Sequence, residues 1–320
     1  MRPPIAPITL PELQAARQRI AGGAIRTPLI RLRVDAPGEI YLKLETLQPI
    51  GSFKLRGALN AMRALRPDQL ADGVYTPSAG NMAQGVAWAA RDLGVPCRVI
   101  APDHAPRTKI EAIERLGATV RLIPFAEWWN AILEHAVPGE RGTFIHPGAD
   151  RMVIAGNGTV GLEILEHLPD ADAFIVPYGS GGFACGVACA AHAIRPGLPV
   201  YAAELEGRAP FAASLAAGRP VSIDYTASFV DVIGGKSVLD EMWPLASSVL
   251  AGSLTASLQQ VAHAVRLLVE RARVVAEGAG AASVAAALAH DTGARRVVCV
   301  ISGGNIDTKK LATILSGEIP

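Results

Sequence analysis

The residues able to do chemistry gather in four short segments. The first is Gly51-Ser52-Phe53-Lys54-Leu55-Arg56-Gly57-Ala58, where a lysine stands between a glycine turn and a helix start, beside an aromatic ring. A cation is disfavoured at a helix N-terminus. A lysine whose pKa is lowered by desolvation or a neighbouring charge becomes a nucleophile toward carbonyls. An ordinary surface lysine at a helix start is the competing reading. Lys54 is one of only six lysines, with Lys43, Lys109, Lys236, Lys309 and Lys310, against 24 arginines.

The second segment, Ser78-Ala79-Gly80-Asn81, follows a predicted strand and precedes a predicted helix. Exposed backbone N–H groups at such a junction suit a carboxylate, although a plain turn capped by Asn fits the same residues. The third, Tyr178-Gly179-Ser180-Gly181-Gly182-Phe183, directly follows the apolar run at residues 173–177. Small residues there let successive N–H groups converge on a phosphate, or let a helix pack closely on a strand. The spacing fits neither G-x-x-x-x-G-K-[ST] nor G-x-G-x-x-G. The fourth, Ser302-Gly303-Gly304-Asn305, ends another strand and offers a hydroxyl to a ring nitrogen, or is merely a turn. As a set, the four segments provide what a carbonyl cofactor carrying a phosphate needs.

These segments must be positioned by alternating strands and helices. The patterning predicts strands over residues 40–45, 73–76, 95–101, 119–123, 173–177, 200–204 and 297–302. Helices are expected over 57–65, 85–93, 109–116, 156–168, 182–194 and 256–271. Several helices close on a glycine and lead into the next strand, as in parallel sheets with crossover helices. The expectation is an α/β protein of two lobes, each an open, mostly parallel sheet with helices on both faces. No regulatory domain is expected in the last third.

Composition narrows the function classes. The chain has 320 residues, a net charge of +1, and 50 % hydrophobic against 18 % charged residues. It carries no basic field for nucleic acid. Its mean hydropathy of +0.29 comes from Ala/Gly-rich runs too short to span a bilayer, so no membrane partner is expected. No signal peptide is read at the N-terminus. The four cysteines, Cys97, Cys185, Cys189 and Cys299, form no C-x-x-C pair. They read as buried apolar residues of a cytoplasmic protein.

The motifs resemble those of the pyridoxal-phosphate-dependent serine/threonine dehydratases, the fold type II group related to the tryptophan synthase β chain. The resemblance is carried by Lys43-Leu44-Glu45, Gln48-Pro49-Ile50-Gly51-Ser52-Phe53-Lys54, Arg56-Gly57-Ala58 and Ser78-Ala79-Gly80-Asn81. It extends through Ala155-Gly156-Asn157-Gly158-Thr159, Gly161-Leu162-Glu163 and Ser302-Gly303-Gly304-Asn305. It implies a small domain over residues 43–146 inserted in a large cofactor-binding domain of residues 1–42 and 147–320. It also implies a homodimer. Lys54 would hold pyridoxal 5'-phosphate through its amine and then take the substrate Cα proton. Phe53 would lie against the cofactor ring, Asn81 would bond its hydroxyl, and Ser302 would face its nitrogen. Gly179, Ser180, Gly181 and Gly182 would cradle the phosphate, and Glu277 would stand near the ring. Ser78, Ala79, Gly80 and Asn81 would hold the substrate carboxylate. The implied reaction is α,β-elimination of a β-hydroxy amino acid to a 2-oxo acid and ammonia.

Departures from the family pattern refine this. The phosphate loop has Ser180 where the family usually has glycine, and Met82 stands where many members have His. Ala79 replaces the serine that racemases use as the opposite-face acid, which favours elimination over racemisation. Gly148 replaces a larger Asn or Phe, which suggests space beside the substrate β-carbon for hydroxyaspartate or a β-aryl serine such as phenylserine, as well as threonine and serine. Glu204 survives from the divalent-cation site of some relatives. Arg208 and Pro210 stand where oxygen ligands are needed, so no metal is expected. The rival readings are a racemase or β-replacement enzyme on the same fold, a non-catalytic amino-acid-binding relative, and a nicotinamide enzyme. The last lacks its G-x-G-x-x-G.

Overall fold

The computed structural model describes residues 2–224, 226–231 and 233–320. Among them, β-branched and apolar runs form ten strands in two sheets. The strands are β1 (Leu29–Leu32), β2 (Glu39–Leu44), β3 (Val74–Pro77), β4 (Cys97–Pro102) and β5 (Thr119–Ile123), then β6 (Thr143–Phe144), β7 (Ala173–Pro177), β8 (Val200–Leu205), β9 (Gly252–Ala256) and β10 (Arg296–Ile301). The larger sheet has the order β1-β2-β10-β7-β8-β9 and the smaller the order β5-β4-β3-β6. Every pairing is parallel except the edge pair β1–β2. The expected α/β architecture of mostly parallel sheets is what the chain adopts.

Helices cover both faces of each sheet because successive strand residues point to opposite sides. Phe174, Val176, Val298 and Val300 pack with the helices Arg151–His167 and Gly182–Ile194. Ile175, Cys299 and Ile301 pack on the other side with Leu258–Leu267 and Gly278–Ala289. In the smaller sheet, Val74 and Val99 meet the helices Lys54–Arg63 and Asn81–Leu93. Tyr75 and Ile100 meet Phe125–Glu134. Strands buried on both faces read as near-continuous apolar runs, which is why β7 and the helix Gly182–Ile194 fall on the residues the pattern predicts. All four cysteines are buried free thiols. Among the described residues no helix is long and apolar enough to cross a membrane.

Several helix boundaries differ from expectation. The helix expected over 256–271 covers only Leu258–Leu267 and passes into a π turn at Leu268–Ala272. Ser257 and Gln260 form a capping box that sets its start, and Ala256 ends the edge strand β9. The boundary at residue 43 falls inside β2, whose Lys43 and Leu44 pair with Val300 and Ile301 of β10.

The helix bearing Lys54 is anchored by a buried charge network. Arg56, 1 % exposed, donates to both oxygens of Glu45 at 2.8 and 2.9 Å and of Glu163 at 2.6 and 2.9 Å. Lys43 donates to Glu163 at 2.5 Å and to the Thr27 carbonyl at 2.7 Å. Two cations face two carboxylates, so the cluster is neutral and its polar atoms are widely paired, as a buried ionic group requires. Thus Lys43, Glu45, Arg56 and Glu163, residues of the family motifs, join β2 to the helices Lys54–Arg63 and Arg151–His167. Gly156 allows the same close approach: a Cβ there would stand 2.4 Å from the Arg56 carbonyl oxygen.

Candidate active site

Lys54 opens its helix at the end of a segment tied to the C-terminal end of β10. The Phe53 N–H donates to the Ser302 carbonyl at 3.0 Å, and Ser52 bridges Gly303. This directs the Lys54 amine into the cleft, where Nζ donates to the Pro147 carbonyl at 2.6 Å. Desolvation lowers its pKa to about 8, against an opposing pull from Glu277. The Phe53 ring stacks on Phe183 at 3.7 Å between centroids and 11° between planes.

Opposite Lys54, β7 runs into Gly179-Ser180-Gly181 and the helix Gly182–Ile194. Gly181 has φ +89°, a conformation open chiefly to glycine, and caps the helix without a side-chain bond. Among the described residues the first N–H groups of the helix have no side-chain acceptor, and such an end suits anions. The neighbouring loop at residues 146–149 is pinned by His146, whose Nδ1 accepts from the Gly148 and Ala149 N–H groups at 3.0 and 2.6 Å. Its Nε2 faces the Ile132 carbonyl at 3.3 Å. Burial, with His135 nearby, pushes the His146 pKa down to about 3, so the ring is neutral. His135, His146 and Glu241 lie together. The His146 lone pair is already engaged by two N–H donors, which leaves none for a metal.

The third wall is a side-chain chain between β3, β10 and the helix Gly278–Ala289. Asn81 Nδ2 donates to Glu277 Oε1 at 2.8 Å, and Asn305 Nδ2 donates to Asn81 Oδ1 at 2.8 Å. Burial raises the Glu277 pKa to about 7, and the charge of Asp231 adds to the rise. Ser78, Ala79 and Gly80 form the turn before the helix Asn81–Leu93, whose N-cap, Gly80, offers no side-chain bond. That leaves its N–H groups without a side-chain acceptor, as at Gly182.

Between these walls lies a cleft with about 50 Å³ of free volume. The sequence-derived residues Phe53, Lys54, Asn81, Gly148, Gly179, Ser180, Gly181, Glu277 and Ser302 all line it. Gly182 abuts Gly148, with 2.3 Å between its would-be Cβ and the Gly148 oxygen. Ser78, Ala79 and Gly80 are outside the lining. The opening expected at Gly148 is filled: a Cβ there would stand 1.8 Å from Ser180 Oγ.

Asn157, Phe183 and Ile233 also line the cleft, and sequence reasoning assigned them no role. Asn157 Oδ1 is buried without a partner among the described residues, and Asn157 lies in the Ala155–Thr159 motif. Asn305 closes the Ser302–Asn305 motif. Pro147 and His146 flank Gly148 and carry no signal of their own.

Glu204 is not placed as a ligand. It accepts from Phe211 N, Ala212 N and Ser253 Oγ, and so holds the start of the helix Pro210–Ala217. Arg208 is buried and donates to the Val230, Ile233 and Gly234 carbonyls at 3.0, 3.2 and 3.3 Å. It holds the segment that supplies Ile233 to the cleft.

These residues suit pyridoxal phosphate. An amine of lowered pKa, an uncapped helix start with a glycine cradle and a polar wall at Asn81 and Glu277 match its aldehyde, its phosphate and its ring substituents. The family described as "Pyridoxal-phosphate dependent enzyme" matches residues 20–303. The chain is 39 % identical to the L-threonine ammonia-lyase of Thermotoga maritima over 97 % of its own length and 78 % of the relative's. It is 34 % identical to the catabolic L-threonine dehydratase TdcB of Escherichia coli, over 96 % of each chain. Among solved structures, maize serine racemase superposes with a TM-score of 0.89 at 30 % identity, over 98 % of each chain. The processed form of threonine deaminase isoform 2 from Solanum lycopersicum superposes at 0.82 with 29 % identity, over 99 % of each chain. The chain belongs to the pyridoxal-phosphate-dependent enzymes of fold type II, in the serine/threonine dehydratase family.

Proposed function

We propose that the protein is an ammonia-lyase that converts a β-hydroxy amino acid, with threonine and serine the first candidates, to a 2-oxo acid and ammonia. The carrying observation is the Lys54 amine, held at the Pro147 carbonyl between two uncapped helix starts. In this reading the N–H groups at Gly182 hold the cofactor phosphate and those before Asn81 hold the substrate carboxylate. Phe53, Asn81, Glu277 and Ser302 surround the ring. The bound cofactor supplies electron withdrawal from the substrate Cα. Lys54 takes the Cα proton, and its lowered pKa brings a neutral amine within reach near pH 8. Glu277, held by Asn81, has its pKa raised by burial to about 7, so it is partly protonated at neutral pH and loses that proton as pH rises. Ala79 has no proton to deliver to the opposite face.

The test is 2-oxo acid production from threonine, serine, hydroxyaspartate and phenylserine, with Lys54→Ala beside it. Turnover of none of the four, or undiminished turnover in Lys54→Ala, refutes the reading. A racemase is the second reading, favoured by the maize serine racemase likeness. Chiral analysis of residual L-serine separates the two, since elimination leaves no D-serine. Division into residues 43–146 and the remainder, a homodimer and a cytoplasmic location belong to the same proposal. They are checked by limited proteolysis, light scattering and fractionation.

A further inference from the structure

Two departures, Gly148 and Ser180, come from loops more than thirty residues apart and meet in the cleft. A Cβ built on Gly148 would stand 1.8 Å from Ser180 Oγ and 2.6 Å from Ser180 Cβ. The second distance matters more. A hydroxyl can rotate away, but the Ser180 Cβ is fixed by the backbone, so residue 148 can gain a side chain only if a loop moves. Both residues line the cleft. The Ser180 hydroxyl has no hydrogen-bond partner among the described residues, although it lies beside the uncapped start of the helix Gly182–Ile194. A hydroxyl beside converging N–H groups is a further donor to an anion.

We propose that the Ser180 hydroxyl occupies the space beside Gly148 that a side chain there would need, and donates to the phosphate of the bound cofactor. The hydroxyl adds a donor to the N–H groups of the glycine loop. It also closes the space beside Gly148, so the missing side chain does not enlarge the substrate site. The inference rests on the assignment of loop 179–182 to the cofactor phosphate made above.

The experiment titrates the apo-protein with pyridoxal phosphate and, separately, with pyridoxal, which lacks the phosphate, following the Schiff-base absorbance. The wild type is expected to bind pyridoxal phosphate more tightly than pyridoxal. Ser180→Ala keeps most of the volume and removes the hydroxyl. It should weaken pyridoxal phosphate about tenfold, equal to about 1.4 kcal/mol, and leave pyridoxal and the apo-protein Tm unchanged. A phosphate-to-pyridoxal preference in Ser180→Ala within about twofold of the wild type overturns the inference and leaves the loop assignment standing. A wild type without any preference for the phosphate form removes the loop assignment itself. The steric half is tested by Gly148→Ala, expected to lower the apo-protein Tm, and by Gly148→Ala with Ser180→Gly, expected to restore it. A Gly148→Ala protein with wild-type Tm overturns that half.

Discussion

Arg56→Met should cost this protein about 3–5 kcal/mol, because it removes one cation from a buried four-charge cluster and leaves the carboxylates behind. The guanidinium makes four of the cluster's bonds to Glu45 and Glu163, and also reaches Thr159 Oγ1 and the Ile25 carbonyl. Without it the cluster carries net charge −1, with Lys43 as the remaining cation. Both carboxylates are almost fully buried, at 0 % and 4 % exposure for Glu45 and Glu163, so water cannot replace the lost partner. The effect should also depend on pH. Burial pushes the Glu45 pKa up, but the Arg56 charge and hydrogen bonds, with Lys43, override it and hold the carboxyl below its ordinary value. A depressed folded pKa contributes stability that is present above the unfolded value and lost as pH falls through the folded one. In Arg56→Met the burial effect is unopposed by the guanidinium, so Glu45 takes up a proton more readily in the folded state. The variant therefore loses less on acidification, and its deficit against the wild type should narrow from pH 7 to pH 5. Urea unfolding of both apo-proteins across that range measures this. A deficit below about 1 kcal/mol at pH 7, the level of a surface pair, or one that does not change with pH, refutes the reasoning.

Four further outcomes follow from the site. Lys54→Ala should lose the Schiff-base absorbance and at least about 10²-fold in turnover, the lower end for a lost general base, as read by absorbance and 2-oxo acid assays. The raised Glu277 pKa means that Glu277 favours folding at acid pH and that this contribution fades as pH rises from about 4.5 through about 7. Glu277→Gln should flatten that part of the apo-protein stability profile, by up to about 3 kcal/mol. Arg208→Met should free the carbonyls of Val230, Ile233 and Gly234 and weaken cofactor binding, measured by titration of the apo-protein, while added divalent cation does not restore it. Ala79→Ser should raise D-serine formed from L-serine relative to 2-oxo acid, and chiral chromatography with no D-serine above the wild-type level would contradict the role given to Ala79.

Much of the α/β order was legible because its signals are local. The runs at residues 119–123, 173–177 and 182–194 fall on the observed elements, since double-sided burial makes the last two apolar throughout. Edge elements were less legible. The short strand β1 and the strand β9 are only partly buried along most of their length, and Gly252–Ala256 carries no alternation strong enough to separate it from the helix that follows. Helix starts were misplaced where the cap lies in a turn shared with the site. Lys54–Arg63 and Asn81–Leu93 both begin earlier than their apolar periodicity.

The sequence by itself determined that a lysine, two small-residue turns before helices and a polar strand end lie at the C-terminal ends of parallel strands, because turn chemistry and strand period are properties of neighbouring residues. Only the tertiary structure decided how these segments act on one another. Asn81 meets Glu277 across 196 residues, and Arg56 meets Glu163 across 107. No local pattern announces such partners. Folding also converted Lys43, Glu45, Arg56 and Glu163 from motif residues into a buried structural cluster. It changed Gly148 as well: read in sequence its missing side chain is a vacancy, but in the folded chain the hydroxyl of Ser180 fills the space, since close packing leaves little room for a void the size of a side chain.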